Sequence, residues 1–452
     1  MRQSTMAGFV AQLAAKYEIP GVAVGVWTKG KQYLVCHGVT DLEHPEPIEP
    51  DTLFLVASVT KTFTATAIMR LVADGQIELD APVQRYLPDF AVADLAASTR
   101  ITVLNLLNHT SGLDWRIPDM PDESDGALAR YVAALRDHEL IAPPGARVSY
   151  SQSGYNVAGR VIEVVTGRTY EQAMATMLLE PLNLRHSTFA SRDTITEPVS
   201  MGHNASADCS LTVVRQWKDT RANNPGGGLA TSISDLLTWA KFHLGDGGAV
   251  LPASDLHLMR TPTAKLIGSS LGDAVGIGWF LRDIDKHHAL GHAGSANGQF
   301  SELLLVPDRD FAVVTLANSG PDNGLAFNRD IVMAGLESAA GIRERDVKLI
   351  RYKQRHADEY AGVYENEMMR AVFTNTGKAL TAEFAIKAAV RANATSELPP
   401  DMPAAPIALI HGEQDHYLVT GGGLTGQRGY FSRDTSGRVT TVDMAGRVFF
   451  RS

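Results

Sequence analysis

The chain has 452 residues, of which 44% are hydrophobic and 20% are charged, and its formal net charge is −9. This composition is typical of a globular enzyme and supplies enough apolar material for a large core and a second domain. The negative charge, without a basic patch, argues against nucleic acid or an anionic membrane surface as a main partner. No stretch of about 20 apolar residues predicts a membrane span.

The N-terminal region and the cysteines bear on where the protein works. Residues 1–15 hold isolated apolar positions and not the apolar block of a secretory signal. Two cysteines, Cys36 and Cys209, imply no disulfide framework, which suits a reducing cytoplasm, and the sequence leaves a single bridge between them open. We therefore expect a cytoplasmic protein, an expectation that would fail for a chain from which a signal had been removed.

Amphipathic periodicity predicts helices, and short apolar runs between turn residues predict strands. In chain order the predicted elements are a helix at 5–18, strands at 21–27 and 32–38, mainly helices from 60 to about 182, a helix at 234–244, strands at 276–282, 299–306 and 311–317, and a helix at 323–340. Thr169 and Gln172 fit a capping box at a helix start. From about Lys348, short β-like runs at regular spacing predict a small barrel.

Ser58 and Lys61 are the first candidate catalytic pair. They lie three residues apart where an apolar strand-like run becomes a helix, so both side chains share one helix face within roughly 5–6 Å at Cβ. Burial among neighbours such as Phe54 and Phe63 would disfavour the charged lysine, and a neutral amine can accept the serine proton. An S-x-x-K pair also occurs by chance, so its interpretation depends on partners elsewhere.

Further motifs follow in a fixed order along the chain. They are Leu106-Leu107-Asn108-His109-Thr110-Ser111-Gly112-Leu113, Tyr150-Ser151-Gln152-Ser153-Gly154-Tyr155-Asn156, Gly226-Gly227-Gly228-Leu229-Ala230-Thr231-Ser232, Gly276-Ile277-Gly278-Trp279 and Gly291-His292-Ala293-Gly294-Ser295. Together with the serine–lysine pair, this series resembles the penicillin-recognising serine hydrolases, which include class C β-lactamases, DD-peptidases, D-aminopeptidases and related esterases. The resemblance covers about residues 5 to 340.

The resemblance implies a fold and two domains. We expect an α/β (α+β) β-lactamase/transpeptidase-like domain over residues 1–345, with a mainly antiparallel sheet flanked by helices and an all-α subdomain. The active-site cleft would lie between the sheet and that subdomain. Residues 346–452 resemble the lipocalin-like domain appended to some cytosolic D-peptidases of this group, so we expect a small antiparallel β-barrel there.

The resemblance also assigns roles near the nucleophile. Tyr150 would relay a proton between Ser58 and the leaving group, and its phenol, with an ordinary pKa near 10, would need a neighbouring cation such as Lys61. Gln152 stands where the family usually has asparagine as a donor to the substrate's acyl amide. Glutamine carries the same amide one methylene farther, so it either contacts substrate in a pocket of different depth or points elsewhere.

The last motif lines the predicted cleft. His292-Ala293-Gly294-Ser295 stands where β-lactamases carry Lys-Thr-Gly and where esterase and D-peptidase relatives often carry His-x-Gly. The resemblance makes His292 a catalytic residue, and Gly294 and Ser295 substrate-binding residues. The Ser295 and Ser58 amides would form the oxyanion hole, where one donor is worth about 2.7–4 kcal/mol. Histidine in place of a permanent cation argues against penicillin as the substrate.

Two other patterns are set aside. Gly268 to Gly272 fits G-x-S-x-G, but a strand-like run follows it and no apolar strand leads into it, so an α/β-hydrolase nucleophile is not predicted. His287, His288 and His292, and the stretch 411–416, hold metal-capable side chains without the spacing of a metal motif. We expect neither a metal nor another cofactor.

The sequence therefore predicts a serine acyl-enzyme hydrolase acting on amide or ester bonds of a small-molecule or short-peptide acyl substrate, either free or carrier-bound. A D-residue-tolerant peptidase or amidase, or a carboxylesterase, is the first hypothesis. One alternative is a penicillin-binding-protein-type thioesterase that transfers a nonribosomal peptidyl group to an amine and so cyclises it. Another is a binding or regulatory relative that has lost activity. The sequence leaves the oligomeric state open.

Overall fold

The protein is described from a computed structural model. The structure describes residues 3–114, 122–192, 195–205, 210–218, 220–320, 322–344, 347–350, 353–394, 398 and 401–452. Cys209, one end of the bridge considered above, lies outside these ranges, as does the predicted domain boundary at 345/346.

Helices and strands are numbered separately in chain order within the described ranges. The α-helices are α1 Gln3–Lys16, α2 Thr60–Ala73, α3 Leu95–Ser98, α4 Val103–Leu107, α5 Ala127–Ala134, α6 Gln152–Thr166, α7 Tyr170–Met174, α8 Asn224–Gly227, α9 Ile233–Leu244, α10 Ala253–Met259, α11 Asp322–Gly335, α12 Gln354–Tyr360 and α13 Ala388–Asn393. The strands of the first domain are β1 Gly21–Thr28, β2 Lys31–Gly38, β3 Phe54–Leu55, β4 Ser187–Thr188, β5 His203–Ala205, β6 Leu211–Val213, β7 Ala230–Thr231, β8 Ala264–Ser269, β9 Gly272–Val275, β10 Phe280–Ile284, β11 His287–Ala296, β12 Gln299–Val306, β13 Phe311–Ala317 and β14 Ser319–Gly320. The strands of the barrel are β15 Gly362–Glu365, β16 Met369–Asn375, β17 Leu380–Ile386, β18 Met402–Leu409, β19 His416–Val419, β20 Arg428–Arg433, β21 Val439–Met444 and β22 Arg447–Arg451.

The first domain is built on an antiparallel sheet with strand order β2-β1-β13-β12-β11-β10-β9-β8. The central strand β13 is buried along its whole length, which requires cover on both faces. On one face, α1 and α11 pack through residues such as Val10 and Phe327. On the other face lies the larger core, which joins α2, α6 and α9 into a helical subdomain. The predicted fold class is confirmed.

Helix α2 runs through this larger core. From Thr60 to Met69 each of its residues is buried, including four threonines whose hydroxyls are hydrogen-bonded within the core. Phe63 stacks on Trp239 of α9 with ring centroids 3.7 Å apart. A helix packed on all sides holds its first turn, and therefore Ser58 and Lys61, in a fixed place.

The C-terminal domain is a closed eight-stranded antiparallel barrel, β15 to β22 in sequence order. Its interior is filled by aromatic rings: Phe373 contacts Tyr364, Tyr417 and Phe431, with ring centroids 5.0–5.7 Å apart. Each of these four side chains is buried. The barrel is thus a packed core and not an open cup, as expected for a barrel of eight strands filled by side chains.

Several local predictions match the structure closely, and one strand is displaced. The β1–β2 hairpin turns at Lys29-Gly30, and Thr169 and Gln172 form the capping box at the start of α7. The strand predicted at 276–282 begins only at Phe280, because Gly276 to Trp279 form a turn in which Gly278 has a φ of +78°. A Cβ at Gly278 would lie 2.4 Å from the Ala65 side chain, so this turn packs against α2.

Among the described residues, no helix has both the length and the apolar character needed to cross a membrane. Within the same ranges, no three His, Cys, Asp or Glu side chains converge as metal ligands would. The G-x-S-x-G sequence lies at the β8–β9 hairpin, and Ser270 there contacts Gln427 of the barrel.

Candidate active site

Ser58 lies in a short 3-10 turn, Ala57–Val59, between β3 and α2. The preceding residue, Ala57, has a φ of +45°, an uncommon conformation for a residue with a Cβ. The turn is held because the Val56 amide donates to the Leu229 carbonyl and the Val56 carbonyl accepts from the Ser301 hydroxyl. Strain of this kind persists only where the surroundings impose it, and it is common at catalytic residues.

The Lys61 amine is completely buried and makes three polar contacts. Its Nζ lies 2.6 Å from the Gln152 Oε1, 2.6 Å from the Gly226 carbonyl oxygen and 3.1 Å from the Ser58 Oγ. Burial, and next the positive charge of Arg447, lower the pKa of Lys61 well below its usual value. A neutral amine so placed donates two N–H groups to the two carbonyls and directs its lone pair at Ser58.

Gln152 is the first residue of α6 and is buried. Its Oε1 accepts from Lys61, and its Nε2 donates to the Oδ1 of Asn223 over 2.5 Å. A Cβ on Gly226 would lie 1.7 Å from that Nε2, so a glycine is needed at 226. The structure therefore places Gln152 against Lys61 and Asn223, whereas its predicted contact with substrate stays a prediction.

Tyr150 lies on the other side of the nucleophile. The Ser58 side chain lies beside its phenol, and Lys61 Nζ lies 4.9 Å from its ring centroid. Burial raises the pKa of Tyr150 to about 12, against the smaller lowering effects of Ser58 and Arg447. The phenol is therefore a proton donor at neutral pH. The cation that lowers the pKa of this phenol is Arg447 rather than the expected Lys61.

Arg447 of the barrel is the cation that the site does contain. It follows the β21–β22 turn, and its guanidinium carbon lies 4.7 Å from the Tyr150 ring centroid. In the same turn the Gly446 carbonyl accepts a hydrogen bond of 2.7 Å from the Tyr150 amide. The barrel thus forms one wall of the site and brings a positive charge to it.

His292 lies on β11, beside Tyr150 and Phe280, with ring centroids 6.2 and 5.2 Å from theirs. Burial is the main cause that lowers the pKa of His292 to about 3, so the imidazole is neutral at pH 7. Its Nδ1 lies 2.8 Å from the Ala293 carbonyl, which fixes the proton there and leaves Nε2 as an acceptor. Within the described ranges the buried Nε2 has no hydrogen-bond partner.

The end of β11 approaches the nucleophile turn closely. A Cβ on Gly294 would lie 2.1 Å from the Val56 carbonyl oxygen, so only a glycine allows this approach. Ser295 follows on the same strand, and its side chain is exposed. This places the β11 backbone beside Ser58, as an oxyanion hole made from the Ser58 and Ser295 amides requires.

The two domains are tied together around the site. Arg147, three residues before Tyr150, contacts both carboxylate oxygens of Asp443 at 2.9 Å. Asp114 accepts a hydrogen bond of 3.2 Å from the Glu367 amide of the barrel. These contacts flank the β21–β22 turn and hold it on Tyr150.

Sequence reasoning missed three residues of this site. Arg447 belongs to a domain whose sequence gives no sign of contact with the nucleophile, and only the three-dimensional packing reveals it. Asn223 immediately precedes the helix that carries the glycine motif, which was the available signal. His109, in the predicted 106–113 motif, accepts from the Ser151 amide at 3.1 Å, and its ring centroid lies 4.6 Å from that of Tyr150.

Comparison with known proteins agrees with this geometry. The family model described as Beta-lactamase matches residues 6–336. Penicillin-binding protein 4 of Amycolatopsis lactamdurans is 32% identical over 365 residues, which are 78% of this chain and 95% of that protein. Protein flp of Staphylococcus aureus strain MW2 is 28% identical over 67% of this chain and 60% of its own length.

Solved structures resemble the chain over both domains. The crystal structure of SurE has a TM-score of 0.76 at 25% identity and covers 100% of this chain and 99% of that one. The octameric penicillin-binding protein homologue from Pyrococcus abyssi shares the fold, with a TM-score of 0.66 at 22% identity, over 99% of this chain and 100% of its own. The chain belongs to the Beta-lactamase family, whose members are usually serine hydrolases.

Proposed function

We propose that the protein is a serine acyl-enzyme hydrolase that acts on amide or ester bonds of a small or short-peptide substrate. The observation that carries the proposal is the buried Lys61 amine, whose Nζ lies 3.1 Å from the Ser58 hydroxyl and 2.6 Å from two carbonyl acceptors, and whose lowered pKa favours the neutral form. An amine in this state takes the serine proton as Oγ attacks the substrate carbonyl carbon.

The remaining groups supply the other steps. The protonated Tyr150 phenol, which lies beside Ser58, donates a proton to the leaving amine or alcohol. Amides at the Ser58 turn and the end of β11 hold the oxyanion. Water then attacks the acyl-enzyme carbonyl and gives its proton to the Tyr150 phenolate, while the protonated Lys61 returns its proton to Ser58 Oγ and the carboxylic acid leaves.

The neighbouring charges favour substrates other than penicillins. His292 is neutral, so it does not provide the fixed positive charge of the β-lactamase lysine. Its Nε2 is a hydrogen-bond acceptor for a substrate N–H or O–H. A D-residue-tolerant peptidase or amidase, or a carboxylesterase, fits this site better than a β-lactamase.

The test of the acyl-enzyme is labelling with a fluorophosphonate, read by intact mass and peptide mapping. We expect one adduct on Ser58 in the native chain, and none in Ser58→Ala, which should also lose hydrolysis of a p-nitrophenyl ester. Ser270→Ala is the matched control, because Ser270 belongs to the G-x-S-x-G sequence at the β8–β9 hairpin. An adduct that moves with Ser270, or activity kept by Ser58→Ala, would refute the assignment. A chain that folds but is never labelled would instead support the binding or regulatory relative that has lost activity.

A second candidate is peptidyl transfer to an amine, which makes a cyclic peptide from the same acyl-enzyme. It is favoured by the structural match to SurE, which covers the catalytic domain and the barrel together. Penicillin-binding-protein-type thioesterases that cyclise peptides carry such a barrel. A wall formed by Gly446 and Arg447 beside Tyr150 would limit the access of water to the acyl group.

The two candidates are separated by their products. A panel should pair L- and D-residue amides and esters with peptidyl thioesters that end in an L- or a D-residue. Linear acids detected by mass spectrometry would support the hydrolase. Cyclic peptides that contain no 18O after reaction in 18O-labelled water would support the cyclase. Equal rates for the L and D members of each pair would remove the preference for D residues.

A further inference from the structure

We infer that Asn223 is a positioning residue that acts through the Gln152 amide to aim the Lys61 lone pair at Ser58. The inference rests on the proposed acyl-enzyme function, because it concerns how the general base is prepared. It also gives Gln152 a role other than contact with substrate.

The two ends of the Gln152 amide differ in their hydrogen bonding. One end is a donor and the other an acceptor, and rotation of the amide by 180° exchanges them. Lys61 needs an acceptor at its N–H, and the Gln152 Oε1 provides it at 2.6 Å. The Asn223 Oδ1 lies 2.5 Å from the Gln152 Nε2 and can only accept there. Asn223 therefore selects the orientation in which the oxygen faces Lys61.

The consequence for Lys61 follows from its number of bonds. A neutral amine has two N–H groups and one lone pair, and the structure offers it two carbonyl acceptors and one hydroxyl. With both N–H groups engaged by Gln152 and Gly226, the lone pair faces Ser58. If the Gln152 amide rotated, its N–H would face the amine and compete with Ser58 for that lone pair.

The residues on either side of Asn223 are held from outside the site. The Arg221 guanidinium contacts both oxygens of Glu171, at 3.1 and 3.0 Å, and the Asn224 amide donates to Glu171 at 2.7 Å. The Pro225 carbonyl accepts from the Thr64 hydroxyl at 2.6 Å. The segment that carries Asn223 and Gly226 is thus fixed on both sides of the lysine.

The same geometry removes a donor from the acyl pocket. The Gln152 Nε2 has its partner in Asn223, and the space beside it is closed by the Gly226 backbone, where not even a Cβ fits. One of the two N–H groups of Gln152 is therefore engaged by Asn223 and is not free for an acyl amide of the substrate.

The test compares three variants by the pH dependence of kcat/KM with an activated ester, and by the rate of fluorophosphonate labelling. Asn223→Leu removes the acceptor at similar size, and we expect acylation to fall about 100-fold, the typical effect of misplacing a catalytic group. The acidic limb of its pH–rate profile should move to lower pH, because the ammonium form of Lys61 loses a hydrogen-bond acceptor. Asn223→Asp keeps an acceptor oxygen, so it should recover most of the rate, with the acidic limb moved to higher pH by the added negative charge.

Thr64→Val is the matched control, because it removes a hydrogen bond to the same segment without touching Lys61 or Gln152. We expect it to leave the acidic limb in place. A native rate and profile in Asn223→Leu, an Asp variant as slow as the Leu variant, or the same shift in Thr64→Val would overturn the inference. If the Leu variant does not fold, an Asn223→Asp variant whose acidic limb has not shifted would overturn the inference. Failure of the proposed function is distinct, because Ser58 would then stay unlabelled in the native chain.

Discussion

Adding one methyl group at Gly226 should disable the base without unfolding the protein. The Cβ of Gly226→Ala would lie 1.7 Å from the Gln152 Nε2 and 2.4 Å from its Cδ, whereas ordinary contacts begin near 3.4 Å. In a packed interior the amide must withdraw by about 1.5 Å or carry Lys61 with it. The segment itself has little freedom, because a Cβ on Gly159 of α6 would already lie 2.2 Å from Pro225.

The size of the effect follows from this displacement. A shift of about 1 Å in a catalytic group costs about 100-fold in rate, which corresponds to ~2.7 kcal/mol of barrier. We expect kcat/KM for a small activated ester to fall by about 100-fold, with labelling of Ser58 slowed to the same extent. Initial rates and stopped-flow labelling measure both, and circular dichroism with a thermal melt reports the fold.

The adjacent glycine provides a matched control. A Cβ on Gly227 would have the Asn223 Nδ2 as its nearest neighbour at 3.5 Å, which is an ordinary contact. Gly227→Ala should therefore label and turn over the small ester within about threefold of the native rate, as expected when a methyl group fits without overlap. If Gly226→Ala keeps the native rate, or if both variants lose activity equally while folded, the reasoning about the lysine acceptors is wrong.

Three further predictions concern charge. Burial lowers the pKa of Lys61 well below its usual value, whereas the unfolded chain keeps this amine protonated up to about pH 10.4. The free energy of unfolding should therefore rise with pH between these two values. Lys61→Met should lose that rise when urea unfolding is compared at pH 7 and 9, and an unchanged dependence of stability on pH would contradict a neutral amine. Arg447→Met removes a cation that lowers the pKa of both Lys61 and Tyr150, so both limbs of the pH–rate profile should move to higher pH. If both limbs stay in place, the guanidinium does not act on the site. Burial raises the pKa of Asp443 to about 6, against the lowering effect of Arg147. Arg147→Ala should therefore cost about 1–3 kcal/mol at pH 7.5, where Asp443 is ionised and paired in the native protein, and less at pH 5. An equal loss at both pH values in chemical unfolding would exclude this ion pair as its cause.

Local signals account for what the sequence could predict. The β1–β2 hairpin, the Thr169–Gln172 capping box and the Ser58–Lys61 spacing each depend on residues close together in the chain. The barrel followed from the regular alternation of apolar runs and turns, and the catalytic fold from a series of motifs in order.

What the sequence could not supply depends on contacts between distant segments. The direction of the Tyr150 pKa shift is set by burial, which only the packed structure reveals. The partner of Gln152 is a residue far along the chain, and no pattern around 152 specifies it. Strand β10 begins later than predicted because the glycine turn before it packs against α2, a tertiary effect on an apolar run.

The turn of the barrel that contacts Tyr150 has a consequence for the order of folding. Arg147 and Asp443, which flank this contact, are separated by 296 positions in the chain. Closing so large a loop is slow compared with forming the helices and hairpins, and large chains generally complete it after their domains have collapsed. During refolding, the recovery of Ser58 reactivity should therefore lag behind the recovery of secondary structure, since the catalytic domain gains its last wall only when the barrel docks.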